Sequence, residues 1–204
     1  MMSINCGDQE VRVIGIDCAT IPQRTGISLG FFSNGDIAVQ EAFRCSDSTK
    51  PEEKVVEWIT SSTEHQKTLI AIDAPLGWPV PLTTGLVNHA AGTFIQGNAD
   101  DLFYRRTEQM ILERFGFRPL AVGSDLIART AHAALALIES IRSKVDAEIP
   151  LVWANNSLPS ISLIEVYPAA TLKSHDIQCD GSYKKQIEAR RQVVNKLKSE
   201  VGVS

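Results

Sequence analysis

The sequence predicts an α/β fold, a mixed sheet flanked by helices. Three observations carry this. Two short apolar runs, at residues 11–17 and 69–73, each climb to an aspartate, Asp17 and Asp73, and read as buried strands. Asn34-Gly35 lies between two alternating runs, the strongest short-range signal for a hairpin. In the second half of the chain, helical spacing alternates with strand-like runs, as in a sheet whose parallel strands are joined through helices.

Taken in order, residues 11–17 form strand one. Thr25 to Phe32 alternates Ile27, Leu29 and Phe31 with small or polar residues, and Ile37, Val39 and Phe43 continue the alternation after the turn. The chain thus opens with three strands in antiparallel succession. Thr49-Lys50-Pro51-Glu52 has capping-box spacing, with proline in the first turn where its missing N–H costs nothing; Val55, Val56 and Ile59 give this helix an apolar side. Leu69 to Asp73 is strand four, reached through a helix and so parallel to strand one. Pro75 holds Ala74 extended and prevents a helix from continuing out of Asp73.

Residues 75–104 are rich in Gly, Pro, Thr and Asn with little periodicity, the mark of a loop-rich insertion that serves as a functional loop or lid. Helical spacing returns over Arg105 to Phe115. A longer helix runs from Asp125 to Val145 with Ile127, Ala131, Ala134, Ile138, Ile141 and Val145 on one face. Ser160 to Val166 is a fifth strand. A basic amphipathic helix from Tyr183 to Val201 presents Ile187, Val194, Leu197 and Val201 as its apolar side. The predicted order is β-β-β-α-β-α-α-β-α, in one domain spanning residues 1–204.

With 204 residues, 44% hydrophobic and 22% charged, the chain is long enough to bury a real core. A net charge of −4 provides no global basic field to draw it to nucleic acid, although a metal-dependent nuclease can keep its basic residues local. Cys6, Cys18, Cys45 and Cys179 include no Cys-x-x-Cys pair, so neither a zinc spacing nor a disulfide framework is expected. The polar N-terminus lacks the apolar core of a signal peptide, and no apolar run approaches the ~20 residues that span a bilayer. The expectation is a soluble cytoplasmic protein with no membrane partner.

Chemistry centres on carboxylates at strand ends: Asp17, Asp73 and Glu165. If strands one and four are parallel neighbours, Asp17 and Asp73 emerge at one edge, within reach of a shared cation. Oxygen ligands of this kind suit Mg²⁺ or Mn²⁺. Each acid taken alone is also explained as a turn cap or a salt-bridge partner. Arg105-Arg106-Thr107-Glu108 opens a helix beside the insertion and reads either as a solvated first turn or as a clamp for phosphate or carboxylate. Lys184, Lys185, Arg190 and Arg191 read as a solvated helix face, with contact to a nucleic-acid backbone as the functional alternative. Trp78 and Trp153 are expected to pack. His65, His89, His132 and His175 are scattered. No P-loop, nucleophile elbow or zincin motif is present.

Ile14-Gly15-Ile16-Asp17, Ala71-Ile72-Asp73-Ala74-Pro75-Leu76-Gly77, Arg106-Thr107-Glu108 and Glu165-Val166-Tyr167-Pro168-Ala169-Ala170 together resemble domain-of-unknown-function family 429, over residues 11 to about 198. That family is grouped with predicted nucleases of ribonuclease H-like fold. The resemblance implies a mixed five-stranded sheet with helices on both faces. Asp17 and Asp73 match the metal-anchoring carboxylates, and Glu165 matches a motif residue that would serve as third ligand or general base. Beside the resemblance, the residues themselves suggest that Arg105, Arg106 and Glu108 form the substrate-binding side. Relatives carry an Asp-rich helix near the end; here Glu200 is the only acid in the last eight residues, so either the chain is shortened, Glu165 or Glu200 substitutes, or the metal site is incomplete. The expected activity is metal-dependent hydrolysis of phosphodiester bonds in a nucleic acid or nucleotide. The alternative is a non-catalytic nucleotide- or anion-binding protein on the same scaffold.

Overall fold

The computed structural model describes residues 10–61, 66–123, 125–153, 159–177 and 181–204. Five strands, β1 (Val11–Asp17), β2 (Gly26–Ser33), β3 (Asp36–Arg44), β4 (Lys67–Asp73) and β5 (Ile161–Glu165), form one sheet in the order β3-β2-β1-β4-β5. β1 and β2 pair antiparallel, as do β2 and β3, whereas β1, β4 and β5 run parallel. The β2–β3 turn places Asn34 and Gly35 at positive φ, 52° and 94°, as an Asn-Gly hairpin requires. The α/β class, the five strands, the antiparallel opening succession and the parallel β1–β4 pair agree with the sequence.

Seven α-helices accompany the sheet among the described residues: α1 (Pro51–Thr60), α2 (Val80–Leu86), α3 (Ala99–Phe103), α4 (Arg106–Phe115), α5 (Asp125–Val145), α6 (Pro168–Ser174) and α7 (Ile187–Val201). The core lies between one sheet face and the α1–α5 pair. Ile14, Ile16, Ile70, Ile72 and Leu163 from the strands meet Val55, Trp58 and Ile59 of α1 and Ala134, Ile138 and Ile141 of α5. Burying each large apolar side chain contributes about 1.5–3 kcal/mol. The residues alternating with these in β1 and β4 are Val13, Gly15, Leu69 and Ala71, all only half-buried. Two of them are too small to recruit a packed helix. That second face opens instead onto a cavity whose far side carries a 3₁₀ turn, Ser182–Lys184, and the start of α7.

Several details differ from the sequence reading. Thr49 does not cap α1: its N–H and carbonyl are both paired with Ser46, so the helix begins at Pro51 with Lys50 as an extended N-cap. The insertion holds α2 and α3, the latter capped by Asn98, whose Oδ1 accepts the Asp100 N–H at 2.8 Å. The sequence reading has no helix where α6 stands; α6 begins at Pro168, with two residues between it and β5, where proline reads as a strand stop but also fits a first helical position. α7 buries Val193, backed by Leu197, against Leu172, Ile177 and Tyr183, while Ile187 and Val194 are exposed. Its partner is this small satellite cluster and not the sheet, which shifts the buried stripe around the helix. Beyond Gly202 (φ 68°), Val203 bridges Ile37 and extends the β3 edge.

Cys18 and Cys45 are buried free thiols; Cys6 and Cys179 lie outside the described residues. His89, His132 and His175 are exposed, and His65 is also outside them. Among the described residues no helix is long and apolar enough to cross a membrane.

Candidate functional site

Asp17 and Asp73 are register partners across the parallel β1–β4 pair. Directly opposed residues on neighbouring strands sit about 5 Å apart in the sheet and project to the same face. That face is the open one, carrying Gly15 and Ala71, so both carboxylates enter a cavity of about 890 Å³. Small side chains make its floor: a Cβ on Gly15 would lie 2.6 Å from Ser28 Oγ. Asp17 is exposed, and Asp73 lies half-buried beside it. Burial, then the charge of Asp17, with Glu165 contributing last, pushes the Asp73 carboxyl up to about 6; the Lys184 ammonium pulls the other way. The pair is therefore a concentrated negative site in which Asp73 is partly desolvated. Cys18, next in sequence, feels the same surroundings, its thiol pushed up to about 11 by burial and by both aspartates.

The cavity's other wall supplies cations and aromatic rings. Lys184, Tyr183 and Arg190 face the sheet across it, and Tyr167 closes one side. Arg190 donates from Nε to the Tyr183 carbonyl at 3.1 Å and from Nη2 to the Lys184 carbonyl at 3.2 Å, fixing the 3₁₀ turn to the first turns of α7. Lys185 and Arg191 do not line the cavity; Arg191 pairs with Glu188 on the exposed side of α7.

Glu165 does not join the aspartates. It pairs in register with Ile72, one residue before Asp73, so its side chain projects to the opposite face of the sheet. There its two oxygens accept from Arg105: Nη2 to Oε1 at 2.6 Å and Nη1 to Oε2 at 2.8 Å. Oε2 also accepts the Leu76 N–H at 2.9 Å, which ties down the loop leaving Asp73. Arg105 is bound equally by Glu108, which takes bonds from Nε and Nη2 and accepts the Arg105 N–H at 2.7 Å at the start of α4. The three side chains are 12%, 5% and 11% exposed for Arg105, Glu108 and Glu165. With its guanidinium committed to two carboxylates, Arg105 is a structural tie and not an open anion clamp. Arg106 points to solvent, paired with Glu113.

A comparison with protein families matches residues 15–203 to a family described as protein of unknown function (DUF429). The chain belongs to that family. The match includes both aspartates, the Arg105 cluster and Lys184. No curated protein matches the chain. Within this DUF429 chain, the sequence brought Asp17 and Asp73 into view and undervalued Lys184 and Arg190, because nothing in a basic helical stretch marks which cations turn toward the sheet. Tyr167, two residues beyond β5, belongs to the Glu165-to-Ala170 motif, which by itself assigned it no place in the site. Trp78 is half-buried as expected, whereas Trp153 is 76% exposed and does not pack. The Glu200 side chain lies outside the described residues.

Proposed function

We propose that the protein is a metal-dependent phosphodiester hydrolase of ribonuclease H-like fold, with Asp17 and Asp73 as its reactive pair. The observation that carries this reading is their exact-register juxtaposition on the open face of β1 and β4. A sheet order of β3-β2-β1-β4-β5 with only β2 reversed against its central neighbours supports the fold assignment.

The donor set fits Mg²⁺ or Mn²⁺. Two adjacent carboxylates, one of them resisting ionisation because of the other and of burial, form a site that a divalent charge relieves. No group of three or more His, Cys, Asp or Glu side chains is gathered for a metal among the described residues. Mg²⁺ commonly takes one or two carboxylates and completes its shell with water and substrate phosphate oxygens, so the aspartate pair by itself could hold it. Bound there, the ion would supply Lewis-acid polarisation of the phosphorus centre and a more acidic water. Lys184 faces Asp73 and balances charge on a phosphate seated over the pair. Glu165 and Arg105 act from behind the sheet: they anchor the Leu76 amide and hold the chain that carries Asp73 in place.

The test is hydrolysis of single-stranded DNA, RNA and hybrid duplexes with Mn²⁺, comparing the wild type with Asp17→Asn and Asp73→Asn. Loss of activity in both variants is expected; activity unchanged in both refutes the reading. The non-catalytic alternative draws support from the two-acid donor set. Its anion contact moves from Arg105 and Arg106 to Lys184, since Arg105 is already saturated by Glu108 and Glu165. Nucleotide affinity by calorimetry that ignores both metal and Asp17→Asn would favour it.

A further inference from the structure

A neighbouring cavity meets the carboxylate cavity at the 3₁₀ turn. This second cavity, of about 900 Å³, shares Tyr167, Ala169, Tyr183 and Lys184 with the first and continues to Phe117, Lys173 and Lys196. Each volume alone is at the upper end of what holds one drug-sized ligand, about 300–1,000 Å³. The two cavities adjoin along these four residues, and together they exceed the volume a mononucleotide fills.

The charge across the two cavities is segregated. Asp17 and Asp73 are the only carboxylates among their described lining residues, and the remaining charged residues are Lys173, Lys184, Arg190 and Lys196. That bias is local, since the whole chain has a net charge of −4. Neither Lys184 nor Lys196 forms an ion pair among the described residues. Lys173 is held in place, donating to the Phe115 carbonyl at 2.6 Å and lying over the Phe117 ring. Aromatic rings line the same walls: Tyr167, stacked on Phe117 with centroids 6.1 Å apart, and Tyr183 border both cavities.

A cationic groove that also carries aromatic rings is the arrangement that binds single-stranded nucleic acid. A duplex keeps its bases stacked inside and cannot offer them to such walls. We propose that the two adjoining cavities form a track for single-stranded nucleic acid, running from the Asp17–Asp73 pair past Lys184 and Tyr183 to Lys173 and Lys196. The proposal deepens the hydrolase reading by naming its substrate class, and it rests on that reading for the strand's position at the aspartates.

The test separates binding from cleavage. In EDTA, and with Asp17 and Asp73 both changed to Asn to remove their repulsion, anisotropy measures binding of a fluorescein-labelled single strand of about ten nucleotides. A duplex of the same sequence and a labelled dinucleotide are the comparisons. The expected result is single-strand affinity about tenfold or more above both, with a logarithmic salt slope near −2 from three lysine–phosphate contacts. In the same background, Lys184→Gln or Lys196→Gln should each weaken binding several-fold and reduce the slope by about 0.7. Lys144→Gln, on α5 beside Glu52, is the control and should change neither. Both lysines are exposed, and an unchanged circular dichroism spectrum verifies folding. Equal affinity for duplex and single strand, or indifference to both lysine changes, overturns the track. Lysine-dependent single-strand binding by a wild type that cleaves nothing with Mn²⁺ refutes the hydrolase and leaves the track standing. Cleavage of duplexes untouched by Lys196→Gln does the reverse.

Discussion

Replacing Asp73 with Asn should stabilise the protein at neutral pH while removing its proposed chemistry. The Asp73 carboxyl titrates at about 6 in the fold against an ordinary 3.8, because burial and the Asp17 charge oppose its ionisation. At about 1.4 kcal/mol per pH unit, holding it charged costs the native state about 3 kcal/mol, and screening by the open cavity reduces this to about 1–2 kcal/mol. The folded pKa lies above the unfolded one, so the stability linked to this group is fully present below about pH 4 and is lost as pH rises through 6. Asn carries no such dependence. In a chain of this size, about 1–2 kcal/mol corresponds to roughly 2–8 °C in Tm. Differential scanning fluorimetry of wild type and Asp73→Asn from pH 4 to pH 8, in EDTA, should show the variant melting higher at pH 8 and the gap closing toward pH 4. A gap that does not change with pH, or a variant less stable at pH 8, would refute the electrostatic reasoning. The same logic predicts that Mg²⁺ raises the Tm of the wild type at pH 8 and leaves that of the variant unmoved.

Other expectations follow from the same structure. Arg105→Met leaves Glu108 and Glu165 buried without their cation and should cost about 3–5 kcal/mol in urea unfolding; adding Glu108→Gln and Glu165→Gln should recover part of it. Gly202→Ala places a Cβ against Asp36 Oδ1 at a left-handed backbone position, and should cost about 1–2 kcal/mol and speed amide exchange at Ile37 and Val39, whose N–H groups donate to Gly202 and Ser204. Cys18, buried and with its thiol pushed up to about 11, should resist iodoacetamide at pH 8 in the native protein and react on denaturation; rapid native labelling of that residue by mass spectrometry contradicts this. Ile138→Ala opens space between α5 and the sheet and should cost about 2–5 kcal/mol by chemical denaturation.

Much of the sheet was legible because its signals are local. Asn34-Gly35 dictates its own turn, and the apolar runs ending at Asp17 and Asp73 are buried strands by length and composition. The α5 stripe from Ala131 to Ile141 was readable for the same reason, a 3.6-residue period sustained over several turns. Short helices were not legible. α6 has a single turn of periodicity after Pro168, too little to distinguish from a loop, and the stripe on α7 depended on a partner that sequence does not name.

The candidate site divides along the same line. That Asp17 and Asp73 each end a buried strand is written in the sequence, because a carboxylate can leave such a strand only at its end. The sequence alone also puts Arg105 and Glu108 within one turn of each other. Which face each acid takes was decided by the tertiary structure. Side chains alternate along a strand, so a pairing offset of one residue puts Glu165, level with Ile72, behind the sheet, while Asp73 faces the cavity with Asp17. Only the fold could bring Arg105 its second carboxylate partner, Glu165, from 60 residues away and set Lys184 opposite Asp73. Register and long-range charge pairing depend on how separate elements meet, and no local pattern of residues carries that information.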